Sequence, residues 1–518
     1  MEKTIVDFDD VSFSYGSRTD GSLKNISLTV KEGEFVLFTG QSGSGKTTVM
    51  RLINGLIPHF FEGTLSGRVS VFGKDTKTAS PGELGKKSAS IFQNPRSQFF
   101  TANSTSEAAF ACENYGIDRV EMIERVDTAF HDFNAEYLMD RDMFSLSSGE
   151  KQKVAIIAAK TLHPQLYVFD EPSANLDIRS IMQLKEMMRK LKDAGHTVVV
   201  SEHRLFYLQN LCDRCLILHE GRIIKALSKS DMEHMNTADL ERYNMRAFDL
   251  NTIGFTPQYE KTKKQKRADF QIKNLSFSYR ASASLLENCC LEGNYGDTIA
   301  VIGDNGQGKT TLGKIISGLL KSKEGYFFLD GKRIKQKELY KSVYFVMQDA
   351  DYQLYSDSVL SELQLSGGLF NKGTVEEIEK VMKVLHIFEY KEEHPWALSG
   401  GQKQRVTIAA AMTAHKRIIV FDEPTSGLDY ENMKAVSEAI NTLRKQGTLN
   451  FVISHDVEFL SRVATKAIFI EHAKISGSVC LERDSDFERV KKFLLQGSAD
   501  AGLFPLSGVS RREEDRYV

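Results

Sequence analysis

Two nine-residue strings carry the residue types that grip phosphate: "GQSGSGKTT" at Gly40–Thr48 and "GDNGQGKTT" at Gly303–Thr311. Gly40, Gly43 and Gly45 in the first, and Gly303, Gly306 and Gly308 in the second, let backbone N–H groups close around phosphate oxygens, with Ser42 and Asn305 between them. Lys46 and Lys309 supply point charges for the β- and γ-phosphates. Thr47 and Thr310 offer hydroxyls to Mg2+ and are followed by Thr48 and Thr311. A helix opening at each lysine would add the positive end of its dipole. Further along, the apolar runs "LYVFD" and "IIVFD" end in Asp170 and Asp422, placed to hold Mg2+ through water. Glu171 and Glu423 come next, where a carboxylate orients or deprotonates an attacking water. Solvated loop acids would not explain why both pairs follow a buried apolar run and precede proline.

The elements that must hold these groups are legible in the surrounding pattern. "EFVLFTG" and "DTIAVIG" are short apolar runs ending in glycine, as buried strands do. After Lys309, the residues Leu312, Ile315, Ile316, Leu319 and Leu320 form a stripe at helical spacing. Strand and helix alternate, which predicts an α/β fold with a mostly parallel central sheet in each half.

The chain is one unit written twice. "VSFSYG" at Val11–Gly16 returns as "LSFSYR" at Leu275–Arg280, and "LSSGEKQK" at Leu146–Lys153 returns as "LSGGQKQR" at Leu398–Arg405. Ser147 recurs as Ser399, Asp170 as Asp422 and His203 as His455, at a constant spacing of 252, while Lys46 and Lys309 lie 263 apart. The extra residues of the first half fall around "PHFFEGTLSG" and "KTASPGELGKK" and suit surface loops. The expected domains are 1–235 and 269–480, joined by a basic linker over 236–268 and followed by a C-terminal helix and tail over 481–518. "KTKKQKR" within the linker suits a solvated connector, or attraction to anionic lipid headgroups.

Bulk composition narrows the function class. The 518 residues carry 67 Lys+Arg against 69 Asp+Glu, a formal net charge of −2, which speaks against a surface built for nucleic acid. No secretion signal or membrane-spanning run is expected. Six irregularly spaced cysteines suit a reducing compartment, and Cys212-Asp-Arg-Cys215 lacks a second pair to complete a metal site.

Taken together, the phosphate loop, the "LSGGQ"-like string, the apolar strand ending in "DEP" and a later strand-end histidine resemble the ATP-binding-cassette ATPases across nearly all of both halves. The resemblance implies two tandem P-loop nucleotide-binding domains, each with a helical subdomain, forming an internal pseudo-dimer that binds ATP and Mg2+. It also implies composite sites. One would combine Lys46, Thr47, Gln93, Asp170, Glu171 and His203 with Ser399, Gly401 and Gln402. The other would combine Lys309, Thr310, Gln348, Asp422, Glu423 and His455 with Ser147, Gly149 and Glu150. By the same resemblance Tyr15 and Tyr279 stack on adenine, Gln93 and Gln348 sense the metal and the attacking water, and His203 and His455 contact the γ-phosphate. Nucleotide would clamp the halves together and its hydrolysis would part them.

The biological task rests on shorter stretches. Gln98 follows Gln93 by five and precedes Phe99-Phe100; Gln353 follows Gln348 by five and precedes Leu354-Tyr355. Together with "SEHRL" at Ser201–Leu205, this looks like the energy-coupling factor importers. That likeness implies ATP-driven uptake of a vitamin, vitamin precursor or transition-metal ion at the cytoplasmic face of the cell membrane. It also implies a transmembrane coupling subunit and a membrane-embedded substrate-binding subunit on other chains. The alternatives are a sugar-importer ATPase and a soluble ribosome-associated cassette ATPase.

Overall fold

The computed structural model describes residues 3–16, 18–257, 268–279, 284–368 and 374–496. The backbone divides into two compact units, Met1–Thr252 with Gly427–Glu431, and Ile253–Ser426 with Asn432–Val518.

In the first unit a six-stranded sheet runs in the order Arg222–Ser228, Arg214–His219, Phe35–Gly40, Thr197–Ser201, Leu166–Asp170, Ser88–Ile91. Every pairing is parallel except that of Arg222–Ser228, which closes one edge as a hairpin. Phe35–Gly40, Leu166–Asp170 and Thr197–Ser201 are almost wholly buried, which is why they read as continuous apolar runs rather than alternating ones. A second sheet, four-stranded and antiparallel, has the order Arg18–Lys31, Thr4–Tyr15, Thr64–Val71, Lys74–Asp75. It packs its apolar side against the first: Phe8, Phe13, Val36, Phe38, Leu52 and Ile53 share one core. Each such side chain contributes roughly 1.5–3 kcal/mol by leaving water.

The second unit repeats both sheets. The parallel one runs Val343–Val346, Ile418–Asp422, Leu449–Ile453, Thr298–Ile302, Lys466–Glu471, with Lys474–Cys480 antiparallel at the edge. The antiparallel one runs Leu286–Gly293, Phe270–Phe277, Glu324–Leu329, Lys332–Ile334. This antiparallel layer goes beyond the parallel sheet expected from the sequence. Its strands carry bulges and register shifts that interrupt the period-two pattern, for instance between Phe8 and Val11.

A group of helices in each unit carries the Ser/Gly-rich string. In the first these are Ser104–Asn114, Arg119–Asp132 and Ser148–Lys160; in the second, Val359–Gly368, Val375–Val384 and Gly400–Thr413. The added residues of the first half are structured rather than loose. They form the short helix Leu56–His59, the start of Thr64–Val71, and the helix Pro81–Gly85 with a Ser80/Glu83 capping box.

Residues 236–252, given to the linker in the sequence reading, hold the helix Thr237–Arg242 and bury Leu240, Met245, Phe248 and Leu250. The segment that follows turns to the second unit: the Phe255 amide donates to Asp484 at 3.0 Å and its ring stacks on Phe487 at 5.1 Å. Those partners lie at the start of the C-terminal helix Asp484–Gln496. The basic run 261–267 and residues 497–518 lie outside the described residues.

Candidate functional site

The parallel sheet brings the chemistry to one end. Phe35–Gly40 lies beside Thr197–Ser201, which lies beside Leu166–Asp170, all parallel. Phosphate loop, histidine turn and acidic pair therefore leave the same edge, where open α/β sheets bind ligands.

The loop after Gly40 enters the helix Lys46–Ile53 through Gly45, whose φ of 102° is left-handed and which offers no side-chain cap. The first N–H groups of that helix consequently point into the loop. Gly40 is required for a second reason: a Cβ there would lie 2.0 Å from the Leu218 carbonyl oxygen on the neighbouring strand. Ser42 and Gly43 are exposed in the loop and Thr48 is buried beneath it. Lys46 Nζ donates to the Gly40 and Gln41 carbonyls at 3.0 and 2.9 Å. Burial pushes its pKa down, against the pull of Glu171 and the other carboxylates around it.

The acidic pair is held from several sides. Asp170 Oδ1 accepts from Ser201 Oγ at 2.5 Å and from Thr47 Oγ1 at 3.3 Å. Burial first, and the adjacent Glu171 second, push its carboxyl above the ordinary range. Glu171 has φ 46° and donates its amide to the Ser201 carbonyl at 2.9 Å. Its carboxylate lies 3.2 Å from His203 Nε2 and accepts from Gln93 Nε2 at 2.7 Å. Burial alone would raise its pKa, but the charge and hydrogen bond of His203 outweigh burial and leave it lowered. Gln93, Asp170, Glu171 and His203, scattered through the sequence, thus meet at one point.

The second unit repeats the arrangement with small differences. Lys309 Nζ donates to the Gly303 and Asp304 carbonyls at 2.7 and 2.9 Å, and Gly308 enters the helix Lys309–Ile316 with φ 93°. Asn305 and Gly306 are exposed in the loop, and Thr311 is buried. Glu423 has φ 48°, donates its amide to Ile453, and lies 3.7 Å from His455 Nε2. Gln348 is exposed just past Val343–Val346. Asp422 is raised by burial, hydrogen bonds to Thr310, and keeps a buried Oδ1 with no partner among the described residues. A buried carboxylate oxygen beside a threonine hydroxyl fits a hard divalent cation such as Mg2+.

The aromatic residues are anchored at their hydroxyls. Tyr15 OH is 3.1 Å from Thr48 Oγ1, and its ring meets Phe13 edge-on at 4.7 Å. Tyr279 repeats this with Thr311 at 3.3 Å and Phe277 at 4.9 Å. Sequence reasoning missed Arg51, which donates to Tyr15 OH at 3.0 Å and lies over the Phe61 ring at 3.9 Å. Its signal was a cation one helical turn after Thr48; the second half has Lys314 there.

Ser147 and Ser399 are N-caps of the helices Ser148–Lys160 and Gly400–Thr413, each with a capping box. Ser147 Oγ donates to Glu150 at 2.7 Å, and the Glu150 carboxylate also accepts the Ser147 amide at 2.9 Å. Gln402 takes the Ser399 amide in the same way at 2.8 Å. Burial would raise the Glu150 pKa, but the bonds from Ser147 prevail and lower it. Neither Ser148 nor Gly400 has positive φ, and a Cβ on Gly400 would meet nothing within 4 Å, so serine fits that position without strain. Gly149 differs: a Cβ there would lie 2.4 Å from Ser180 Oγ. Cys212 and Cys215 are buried free thiols, both pushed up by burial.

The family model described as ABC transporter matches residues 23–174 and 286–426. A putative ABC transporter ATP-binding protein of Treponema denticola is 36% identical, covering 94% of this chain and 99% of that protein. One from Clostridium perfringens is 31% identical over 95% of this chain and 94% of that protein. Among solved structures, an archaeal ribosome recycling factor in complex with a ribosomal stalk protein aligns with TM-score 0.62 at 23% identity, covering 94% of this chain and 92% of that one. The chain belongs to the ABC transporter family of ATP-binding proteins, with two cassettes in tandem, and is an ATPase.

Proposed function

We propose that this ATPase is the energy-supplying subunit of a membrane importer for a micronutrient, of the energy-coupling factor type. The observation that carries this reading is a repeated set of exposed aromatics on the helical part of each cassette. Phe100 is 72% and Phe144 84% exposed in the first; Tyr355 is 77% and Trp396 63% exposed in the second. Large apolar groups exposed at matching places in both copies suit contact with a partner's helices. Phe100 and Tyr355 follow Gln93 and Gln348 through short turns that Gln98 and Gln353 brace, accepting the Phe92 and Met347 amides at 3.0 and 2.9 Å. A shift at either glutamine would therefore reach the aromatic surface. Among the described residues no helix is long and apolar enough to cross a membrane, so translocation would need separate membrane subunits.

In the proposed reaction Lys46 and the loop amides hold the phosphates, and Glu171 accepts a proton from the attacking water. His203 holds Glu171 in place and, by the family resemblance, meets the γ-phosphate. Mg2+ held through Thr47, Gln93 and Asp170, or Thr310, Gln348 and Asp422, would offset phosphate charge. The exchange of serine strings between the halves is part of the same proposal. Affinity capture from solubilised membranes tests the assignment. Co-purification of two kinds of membrane protein, lost in a Phe100→Ser/Phe144→Ser/Tyr355→Ser/Trp396→Ser variant, supports it. Co-purification of ribosomal proteins instead would replace it with the ribosome-associated reading, which the fold likeness alone does not favour.

A further inference from the structure

The loop that follows each proposed water-activating glutamate must be tied down, because Glu171 and Glu423 sit in left-handed backbone at the mouth of the sheet. The two halves tie it differently. In the first, the carboxylate of Glu202 is buried and collects four donors: the Ser173 amide at 3.2 Å, the His203 amide at 2.7 Å, the Arg204 amide at 3.1 Å and the Tyr207 hydroxyl at 2.8 Å. Ser173 is two residues beyond Glu171, and His203 is the next residue after Glu202. One side chain thus joins the glutamate's loop to the histidine's turn.

In the second half the residue before His455 is Ser454, which is too short for this task. The acid comes after the histidine instead. Asp456 is buried and accepts from Thr425 Oγ1 at 3.0 Å, and Thr425 occupies the place of Ser173. Asp456 also caps the helix Val457–Val463 through the Phe459 amide at 3.2 Å. The corresponding stretch after His203 is not helical, and there Glu202 takes up the His203 and Arg204 amides itself. Two unlike sequences, Glu-His-Arg and Ser-His-Asp, deliver a buried carboxylate to the same loop position.

We infer that Glu202 and Asp456 are positioning residues for ATP hydrolysis: each locks the loop of its cassette's glutamate to the histidine turn, so that Glu171 and Glu423 face His203 and His455. This rests on the roles proposed for those glutamates and histidines. A misplaced base costs rate more than binding.

The test uses the full chain and steady-state ATPase well below its melting temperature. Glu202→Gln should lower kcat on the order of tenfold, with KM for ATP nearly unchanged. Glu202→Ser combined with Arg204→Asp moves the acid to the other side of His203, as in the second half, and should recover most of the turnover. If Glu202→Gln does not fold, the double variant decides alone: near-native turnover supports the inference, and a folded but slow enzyme overturns it. A folded Glu202→Gln with unchanged kcat also overturns it, as does an equal loss of kcat and affinity without recovery in the double variant. Glu171→Gln is the reference. Inactive Glu171→Gln beside fully active Glu202→Gln sinks the inference alone, whereas active Glu171→Gln sinks the role of Glu171 and the inference with it.

Discussion

Glu171 is held by His203 at 3.2 Å and by Gln93 at 2.7 Å, whereas Glu423 lies 3.7 Å from His455. On the proposed roles, the closer histidine contact favours Glu171 as the base. On the proposed exchange of serine strings, its partner is Ser399-Gly-Gly-Gln402, with no added carboxylate. Glu171→Gln should remove most steady-state ATPase and Glu423→Gln a smaller part; loss of all turnover in Glu423→Gln alone would reverse this ranking. Glu150 stands in the other serine string. Its folded pKa lies below the ordinary 4.5 because of the Ser147 bonds. The stability it contributes is complete above about that pH and is lost as pH falls through the lower folded value. Glu150→Gln keeps an acceptor in the cap, as Gln402 shows, so melting near neutral pH should fall only slightly while this part of the acid dependence disappears. Removing a carboxylate expected near the γ-phosphate should raise turnover a few-fold, and a decrease in ATPase would contradict that placement. Lys46, Thr47, Asp170 and Glu171 stand out in the sequence as candidates because each belongs to a short local motif. Glu202 was not, since its function depends on Ser173 and Tyr207 reaching one buried carboxylate.

At the scale of elements, the site depends on how closely Phe35–Gly40 and Arg214–His219 pack. A Cβ at Gly40 would press the Leu218 carbonyl from 2.0 Å, with φ at 138°, a value that side chains rarely adopt. Gly40→Ala should cost about 2–4 kcal/mol through overpacking and strain, read as a lower melting temperature with nucleotide binding lost in parallel. Gly43→Ala, with nothing within 4 Å of its Cβ, should lower melting less, by strain at φ 78° alone. The parallel strands were readable as apolar runs because both of their faces are buried. The antiparallel layer was hidden by its bulges and by strands such as Thr64–Val71, half of which is exposed.

For the whole molecule, the duplication predicts two nucleotide sites per chain. Equilibrium binding of a non-hydrolysable ATP analogue should approach two per chain, and Lys46→Ala or Lys309→Ala should each leave one. A single site in the unaltered protein would refute the reading. What the amino-acid order determined alone is the repeat, the fold class and the candidate phosphate-binding strings, because these arise from motifs and periodicities spanning at most a strand and a turn. Tertiary structure decided the rest: that residues 236–252 pack as part of the first unit, that Glu171 meets Gln93 and His203, and that Glu202 and Asp456 reach equivalent loops from opposite sides of a histidine. Those facts depend on distances between segments dozens of residues apart, and such distances exist only once the apolar strands have packed and fixed where each loop emerges.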